Sequence, residues 1–222
     1  MHLKKFLPLL FVFIGAGLAA ALLILFLAGR EPAGTGRYSI LMRNPKIIRL
    51  TEEKVPDYVD VQLIRTDGSA RRGIPLEDLT GIVIHYVGNP GSTAQGNRDY
   101  FDDPETDVSS HFVIGLKGEI IQCVPLWEKA SASNERNRDT ISVECCHPDE
   151  GGAFTDETYA SLVKLTAWLC ERNDLKPEDV IRHYDVTEKI CPRYYVENED
   201  AWLAFRADVR EAIKAAEITS AE

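Results

Sequence analysis

The chain has 222 residues, 45 % of them hydrophobic and 27 % charged, which is enough for one domain with a full core and an appendage. Its formal net charge is −10 at pH 7, and the three basic side chains of residues 1–30 are balanced by no acid, so the remainder carries −13. A domain this acidic lacks the basic surface that nucleic-acid binding requires, which excludes that class of partner.

Residues 6–28 contain no charged side chain. At about 1.5 Å per residue, a helix of this length covers a bilayer core of roughly 30 Å. We therefore predict that residues 1–29 form a transmembrane signal anchor. The basic residues Lys4 and Lys5 favour a cytoplasmic N-terminus, which makes the rest of the chain extracellular. The alternative is a cleaved signal peptide and a secreted protein, but cleavage after residues 19–21 would leave an apolar segment exposed.

The segment that follows is predicted to connect the anchor to the main domain. Residues 30–36 are rich in Gly and Pro, as in a linker. Residues 30–78 as a whole are predicted to be a linker and an N-terminal extension of the domain, with one strand at 59–65. The main domain is predicted to cover residues 79–217.

From residue 79 onwards, strand and helix patterns alternate. Strands are predicted at 81–86, 111–116, 119–124, 140–146 and 180–183, with a hairpin turn at Lys117-Gly118. Helices are predicted at 93–101 with Thr93 as N-cap, after the cap residue Thr155, and from about Glu199. This interleaving predicts the α/β class, with a single mixed β-sheet and helices packed on its faces.

The two long helices show one apolar face each. In the first, this face consists of Tyr159, Leu162, Val163, Thr166, Leu169 and Cys170. In the second, it consists of Trp202, Phe205, Val209 and Ile213.

The chain has five cysteines, an odd number for an exported protein: Cys123, Cys145, Cys146, Cys170 and Cys191. One unpaired thiol suggests a reactive or metal-bound group, and Cys191 is the natural candidate. The other four are predicted either to form disulfides or to be buried free thiols, and the sequence leaves both open.

The segment 181–193 places His183 and Cys191 eight positions apart, and imidazole and thiolate are ligands that zinc prefers. A third ligand is available in His85, at the end of the strand 81–86. Three protein ligands leave the fourth tetrahedral position for water, as in a catalytic zinc site. His147, in a loop rich in Pro and Gly, is the rival ligand, and its participation would instead favour a structural zinc site.

Four segments of the chain resemble a known family, in continuous order over about residues 79–205. They are GIVIHYVGNPGSTAQGNRDYF, SSHFVIGLKGEIIQCVPLWEKA, NRDTISVECCHPDEGGAFTDETYASLVKLTAWLC and IRHYDVTEKICPRYYVENEDAW. They are similar to the zinc-dependent N-acetylmuramoyl-L-alanine amidases, the phage-endolysin-like family to which animal peptidoglycan recognition proteins are related. The likeness is closest to the clostridial type, which is membrane-anchored or secreted.

The resemblance implies Zn²⁺ as cofactor, with His85, His183 and Cys191 as its ligands. It implies that Glu144 is the catalytic glutamate and that Lys189 lies near the scissile carbonyl. The chain departs from some relatives at Ser110, where they carry a tyrosine that helps to stabilise the transition state. No such role can therefore be assigned here, and more of the catalysis is expected of Glu144 and Lys189.

The residues themselves agree with these assignments. Strand alternation places Ser142, Glu144 and Cys146 on one face of the strand 140–146. A glutamate within such an apolar strand is costly to bury unless it is paired or used in chemistry, so a buried ion pair is the alternative for Glu144. A solvated loop charge is the alternative for Lys189. His111 is expected either to line the site or to be a hydrogen-bonded strand residue.

The resemblance implies that the substrate is peptidoglycan and that the bond cleaved joins N-acetylmuramic acid to L-alanine of the stem peptide. The alternative is a module that binds peptidoglycan without cutting it. Non-catalytic relatives typically lose the cysteine ligand, whereas this chain retains Cys191.

Overall fold

The computed structural model describes residues 44–220, with side chains from 44 to 218. The predicted signal anchor at 1–29 and the Gly- and Pro-rich linker lie outside these residues. Within the described part of the chain, no helix is both long enough and apolar enough to cross a bilayer.

Six strands form a single mixed sheet in the described residues, as predicted. They are β1 (Val59–Val61), β2 (Gly81–Tyr86), β3 (Phe112–Ile114), β4 (Ile120–Gln122), β5 (Thr140–Cys145) and β6 (Val180–Arg182). Their order across the sheet is β1-β4-β3-β5-β2-β6. The hairpin strands β3 and β4 pair antiparallel, and every other neighbouring pair is parallel.

Six α-helices accompany the strands in the described part of the chain. They are α1 (Pro45–Glu52), α2 (Ala94–Phe101), α3 (Asp156–Arg172), α4 (Tyr184–Thr187), α5 (Arg193–Glu197) and α6 (Glu199–Ser220), with 3₁₀ turns at Asn134–Arg138 and Pro177–Asp179. The predicted N-caps are confirmed: Thr93 accepts a hydrogen bond from the backbone of Gly96, and Thr155 accepts one from that of Thr158.

Strand alternation divides the core between the two faces of the sheet. On one face, Ile82, Ile84, Ile141 and Val143 belong to a large hydrophobic cluster that includes buried residues of α1, α3 and α6. On the other face, a smaller cluster joins β3 and β4 to α2. The side chains that alternate with the large cluster on β2 and β5, including those of His85 and Glu144, therefore point towards the α2 side.

Several predicted elements differ from the structure in length. The strand predicted at 59–65 ends at Val61, although Gln62 and Ile64 still donate backbone hydrogen bonds to Gln122 and Cys123. The predicted strands 111–116, 119–124 and 140–146 are likewise shorter than expected. The last strand ends at Arg182, and His183 is the N-cap residue of the one-turn helix α4 instead of the last residue of the strand.

Helix α1 was not predicted. Asn44 caps it by accepting a hydrogen bond from the backbone of Lys46 at 3.0 Å, and Pro45 occupies its first turn. The helix buries Ile47 and Leu50 in the large cluster. The aliphatic residues of this helix, Ile47, Ile48 and Leu50, span about one turn, which is too short a run to predict a helix from periodicity, so the sequence places this segment in the extension.

Candidate metal centre

The candidate site lies where three adjacent parallel strands, β5, β2 and β6, end. His85 on β2 is in register with Glu144 on β5. On the other side of β2, the backbone N–H of His183 donates to the carbonyl oxygen of Ile84 at 3.2 Å, so His183 directly follows the last paired residue of β6. Parallel strands bring their carboxyl ends to the same edge of a sheet, which is why residues far apart in sequence meet here.

Cys191 reaches the same edge from the loop that follows α4. The loop is closed by two backbone hydrogen bonds: Tyr184 N–H donates to Cys191 O at 2.9 Å, and Cys191 N–H donates to Lys189 O at 2.7 Å. The next peptide bond, to Pro192, is cis. These contacts hold the thiol in a buried position, 3.8 Å from Nδ1 of His85.

The structure thus brings together the three ligands predicted from the sequence. One potential ligand atom each from His85, His183 and Cys191 lies within 4.8 Å of the others. The two imidazole rings are 4.7 Å apart between centroids. Hereafter these three residues are called the metal centre.

The hydrogen bonds of the two histidines leave the same ring nitrogen available in each. His183 Nε2 lies 2.9 Å from Oδ1 of Asn134, and His85 Nε2 lies 3.0 Å from Oγ of Ser133. His183 Nδ1 is buried and has no hydrogen-bond partner within the described part of the chain. Two imidazole nitrogens and one thiol sulfur are a donor set typical of zinc, and the residues therefore fit this ion.

The pKa values of the histidines favour the form that binds a metal. Burial lowers the pKa of His85 well below its usual value, and the neighbouring His183 and Lys189 lower it further. Burial and Lys189 also lower the pKa of His183. Both rings are therefore neutral near pH 7 and retain a lone pair. Burial raises the pKa of Cys191 to about 12, so a metal ion would have to displace its proton.

Glu144 stands beside the metal centre without an ionic partner. Its Oε1 is 3.9 Å from Nδ1 of His85, but His85 is neutral, so this contact is not an ion pair. Its Oε2 is buried and finds no hydrogen bond among residues 44–220. Burial raises the pKa of Glu144 to about 8, an effect that Lys189 opposes. The alternative of a buried structural ion pair does not apply to this residue.

A cleft of about 210 Å³ opens over these groups. His85, Glu144, His183 and Lys189 line it. Lys189 is exposed, so its ammonium group is free to reach a ligand. The remaining wall is mixed polar and apolar and consists of Tyr86, Val87, Asn97, Tyr100, Phe101, Val108, Ser109, Ser131 and Ala132.

His111 does not line this cleft. Its Nδ1 accepts a hydrogen bond from the backbone N–H of Ser142 at 3.0 Å and also contacts the Ser142 hydroxyl. Its Nε2 donates to the carbonyl oxygen of Glu128 at 2.8 Å. Of the two expectations for His111, the structure favours the hydrogen-bonded residue. Ser110 is also buried in this network, through its hydroxyl contact with Ser142.

The rival ligand His147 is buried outside the metal centre, and its Nδ1 donates to the carbonyl oxygen of Asp149 at 2.7 Å. The expectation that it could complete a four-ligand structural site is therefore not met. All five cysteines are buried and free, so the disulfide alternative is not realised either.

Sequence reasoning missed Ser133 and Asn134, the two residues that contact the Nε2 atoms of His85 and His183. They lie in the polar segment SASNERNR, which looks like any solvated loop. The sequence offers only the residue type of Asn134, because asparagine tolerates the positive φ of 53° found there better than most residues.

Comparison with known proteins points to one family. The family model described as N-acetylmuramoyl-L-alanine amidase matches residues 75–194. The chain is 32 % identical over 163 residues to the N-acetylmuramoyl-L-alanine amidase CwlL of Bacillus licheniformis, covering 66 % of this chain and 45 % of that protein. It is 29 % identical over 172 residues to BlyA of Bacillus subtilis (strain 168), covering 68 % and 46 %. The chain thus spans about half the length of these relatives.

Solved structures share the fold. A mutant endolysin from Bacillus subtilis aligns with a TM-score of 0.60 at 25 % identity, over 68 % of this chain and 97 % of that one. The catalytic domain of XlyA aligns with a TM-score of 0.60 at 24 % identity, over 68 % of this chain and 98 % of that domain.

The family model covers more than half of the chain and includes all three residues of the metal centre, Glu144 and Lys189. The chain therefore belongs to the N-acetylmuramoyl-L-alanine amidase family.

Proposed function

We propose that this chain is a zinc-dependent N-acetylmuramoyl-L-alanine amidase. Its substrate is peptidoglycan, and it hydrolyses the amide between the lactyl group of N-acetylmuramic acid and L-alanine of the stem peptide. Family membership supports this activity. The observation that carries the proposal is the metal centre, whose ligand atoms lie within 4.8 Å of one another next to an unpaired glutamate in a cleft.

Zinc would be held by His85, His183 and Cys191. When bound, it supplies Lewis acidity, which polarises a carbonyl group and lowers the pKa of water towards about 7. Three protein ligands favour a catalytic over a structural role, because a structural zinc site normally has four.

Glu144 acts as the general base and then as the general acid. Its carboxylate accepts a proton from the attacking water and returns it to the leaving amine of L-alanine. A carboxyl group whose pKa is raised to about 8 can do both near neutral pH, because neither protonation state is strongly disfavoured there. Lys189 favours the ionised form that starts the reaction.

Lys189 stabilises the negative charge that develops on the carbonyl oxygen in the tetrahedral intermediate. It lines the cleft with Glu144 and is exposed, so it can approach a bound substrate. The position at which some relatives carry a tyrosine is occupied here by the buried Ser110, and Lys189 takes a larger share of this task.

We also propose that residues 1–29 anchor the enzyme in the membrane, with the catalytic domain extracellular and close to its substrate. This is the clostridial, membrane-anchored arrangement, and the 23 uncharged residues 6–28 support it. Retention of the full chain in the membrane fraction after a carbonate wash, and its release when residues 1–29 are deleted, would test the anchor.

Mass spectrometry of digested peptidoglycan tests the activity. The expected product is a stem peptide with a new free N-terminal L-alanine, lost after treatment with EDTA and restored by zinc. A cut elsewhere in the peptide would make the protein a peptidase. Tight binding of peptidoglycan without cleavage would favour the non-catalytic alternative.

A further inference from the structure

Both histidines of the metal centre contact consecutive residues of one loop through their Nε2 atoms. The contacts are His85 Nε2 to Ser133 Oγ at 3.0 Å and His183 Nε2 to Asn134 Oδ1 at 2.9 Å. The loop, residues 131–138, leads into β5, which carries Glu144. A single loop therefore contacts two ligands that are 98 positions apart in the sequence.

This loop is itself fixed by hydrogen bonds on both sides of the contact residues. Asn137 Oδ1 accepts hydrogen bonds from the backbone N–H groups of Ala132 at 3.0 Å and Ser133 at 2.6 Å. Ser131 and Ser109 exchange two further bonds, each of 3.1 Å. The backbone that carries the Ser133 hydroxyl is therefore fixed by contacts within the protein.

The chemistry of Asn134 determines which nitrogen of His183 carries the proton. An amide oxygen can only accept a hydrogen bond, so Nε2 of His183 must donate. In a neutral ring this leaves Nδ1 unprotonated, and Nδ1 is the buried atom that lacks a partner among the described residues. Asn134 also adopts a positive φ of 53°, so its backbone and its side chain both restrict the residue type.

Ser133 provides the matching contact for His85. The serine is 1 % exposed and His85 is also 1 % exposed, so no bulk water competes for their hydrogen bond. When the hydroxyl accepts from Nε2–H, Nδ1 of His85 keeps its lone pair towards the thiol of Cys191, 3.8 Å away. The two contacts thus direct the Nδ1 lone pairs of His85 and His183 towards the same position in the metal centre.

We propose that Ser133 and Asn134 are positioning residues that hold His85 and His183 as their Nε2–H tautomers and thereby set the zinc affinity of the metal centre. The inference rests on the proposed function, because it assumes that zinc is the ion bound. Loss of a residue that orients a ligating histidine typically weakens metal binding about 10- to 100-fold. Substitution of Ser133 should weaken zinc binding more than substitution of Asn134, because Asn134 is exposed and water can replace its amide.

Four variants of the full chain test the inference. Ser133→Ala removes the contact to His85. Asn134→Gly removes the contact to His183 while tolerating the positive φ, and Asn134→Asp retains an acceptor at the same place. Arg138→Ala, an exposed change in the same loop, is the control. Thermal unfolding of each variant shows whether it is folded.

Two measurements are made on every variant. Long-range ¹H–¹⁵N correlation spectra of the metal-free protein report the tautomer of each histidine, and competition with a chromophoric chelator gives the zinc dissociation constant. We expect Ser133→Ala to weaken zinc binding about 10- to 100-fold and Asn134→Gly about tenfold, each with loss of the Nε2–H tautomer in its own histidine. Asn134→Asp should stay within about threefold of the unmutated chain, as should Arg138→Ala.

The outcomes separate this inference from the proposed function. Unchanged zinc affinity in Ser133→Ala, or weakened affinity without any tautomer change, overturns the inference alone. The expected variant effects without cleavage of peptidoglycan overturn the proposed function alone. Failure of the unmutated chain to bind zinc overturns both.

Discussion

Two clusters of buried polar residues differ in how completely their hydrogen bonds are satisfied. In the metal centre and its neighbour Glu144, two buried polar atoms, His183 Nδ1 and Glu144 Oε2, lack a partner in the described chain. In the second cluster, hereafter the inner network (Arg71, Glu128, His111 and Ser142), His111 uses both ring nitrogens. Glu128 there forms a bidentate pair with Arg71, at 2.7 and 2.8 Å.

Burial therefore does not distinguish the histidines of the metal centre from His111 in the inner network. His111 and His183 are both buried, and they differ in their unused hydrogen-bonding capacity. His111 uses both ring nitrogens, whereas Nδ1 of His183 has no partner in the described part of the chain. A satisfied network stabilises the fold, whereas an unsatisfied group raises its energy and is available to a ligand. Substitutions in the inner network should therefore change stability, and those around the metal centre should change activity.

The largest effect is expected from Glu128→Gln. This change leaves Arg71 without a full charge partner in a buried setting, which costs about 3–5 kcal/mol of unfolding free energy. Urea denaturation would measure it, with Glu144→Gln as the matched control. Glu144→Gln should lower the stability by less than about 1 kcal/mol, because its Oε2 makes no hydrogen bond within residues 44–220. Equal losses of unfolding free energy in the two variants would contradict the proposed difference between the inner network and the metal centre.

The inner network should also make stability depend on pH. Burial lowers the pKa of His111 to about 4, against about 6.5 in an unfolded chain, so the folded state favours the neutral ring. The resulting stabilisation is fully present above about pH 6.5 and is lost as the pH falls towards 4, by about 3 kcal/mol at most. His111→Gln, which keeps a donor towards Glu128, should show a shallower loss over this range. The same acid dependence in both proteins would exclude His111 as its source.

Around the metal centre, Glu144→Gln should reduce the turnover rate of purified peptidoglycan about a hundredfold, or about 2.7 kcal/mol in activation free energy. The amide cannot accept the proton of the attacking water, but it retains the shape of the side chain. Zinc content and stability should be unchanged. Undiminished turnover would contradict the role of Glu144 as the base, and Glu128→Gln, assayed while folded, should retain its activity.

A smaller effect is expected from Lys189→Gln, about tenfold in kcat with KM little altered, because the lysine acts mainly in the transition state. Its exposed position limits the effect, since water can partly replace the ammonium group. Lys117→Gln makes the same charge change at an exposed turn away from the cleft and should have no effect. A change in KM alone would indicate that Lys189 binds substrate without stabilising the oxyanion.

The metal centre could be predicted from the sequence because its residues stand at the ends of strongly patterned strands. The runs GIVIHY and TISVEC have few polar positions, so His85 and Glu144 are conspicuous within them. The inner network gave no comparable signal. Arg71 and Glu128 are 57 positions apart in loops, and nothing in either segment indicates that the two side chains form a buried pair.

The same limit explains the missed helix and the missed contacts of the histidines. Helix α1 depends on packing Ile47 and Leu50 against the core, and local pattern does not reveal such tertiary contacts. Ser133 and Asn134 act only through their distance to rings from other parts of the chain. Spacing along the sequence contains no information about that distance.

The central proposal is that the metal centre binds one zinc ion through its three protein ligands. Metal analysis combined with zinc K-edge X-ray absorption on the purified full chain tests it most directly. We predict one zinc per chain, bound by two imidazole nitrogens and one sulfur, and loss of the sulfur contribution in Cys191→Ser. Absence of bound zinc, or a fourth ligand from the protein, would contradict the claim.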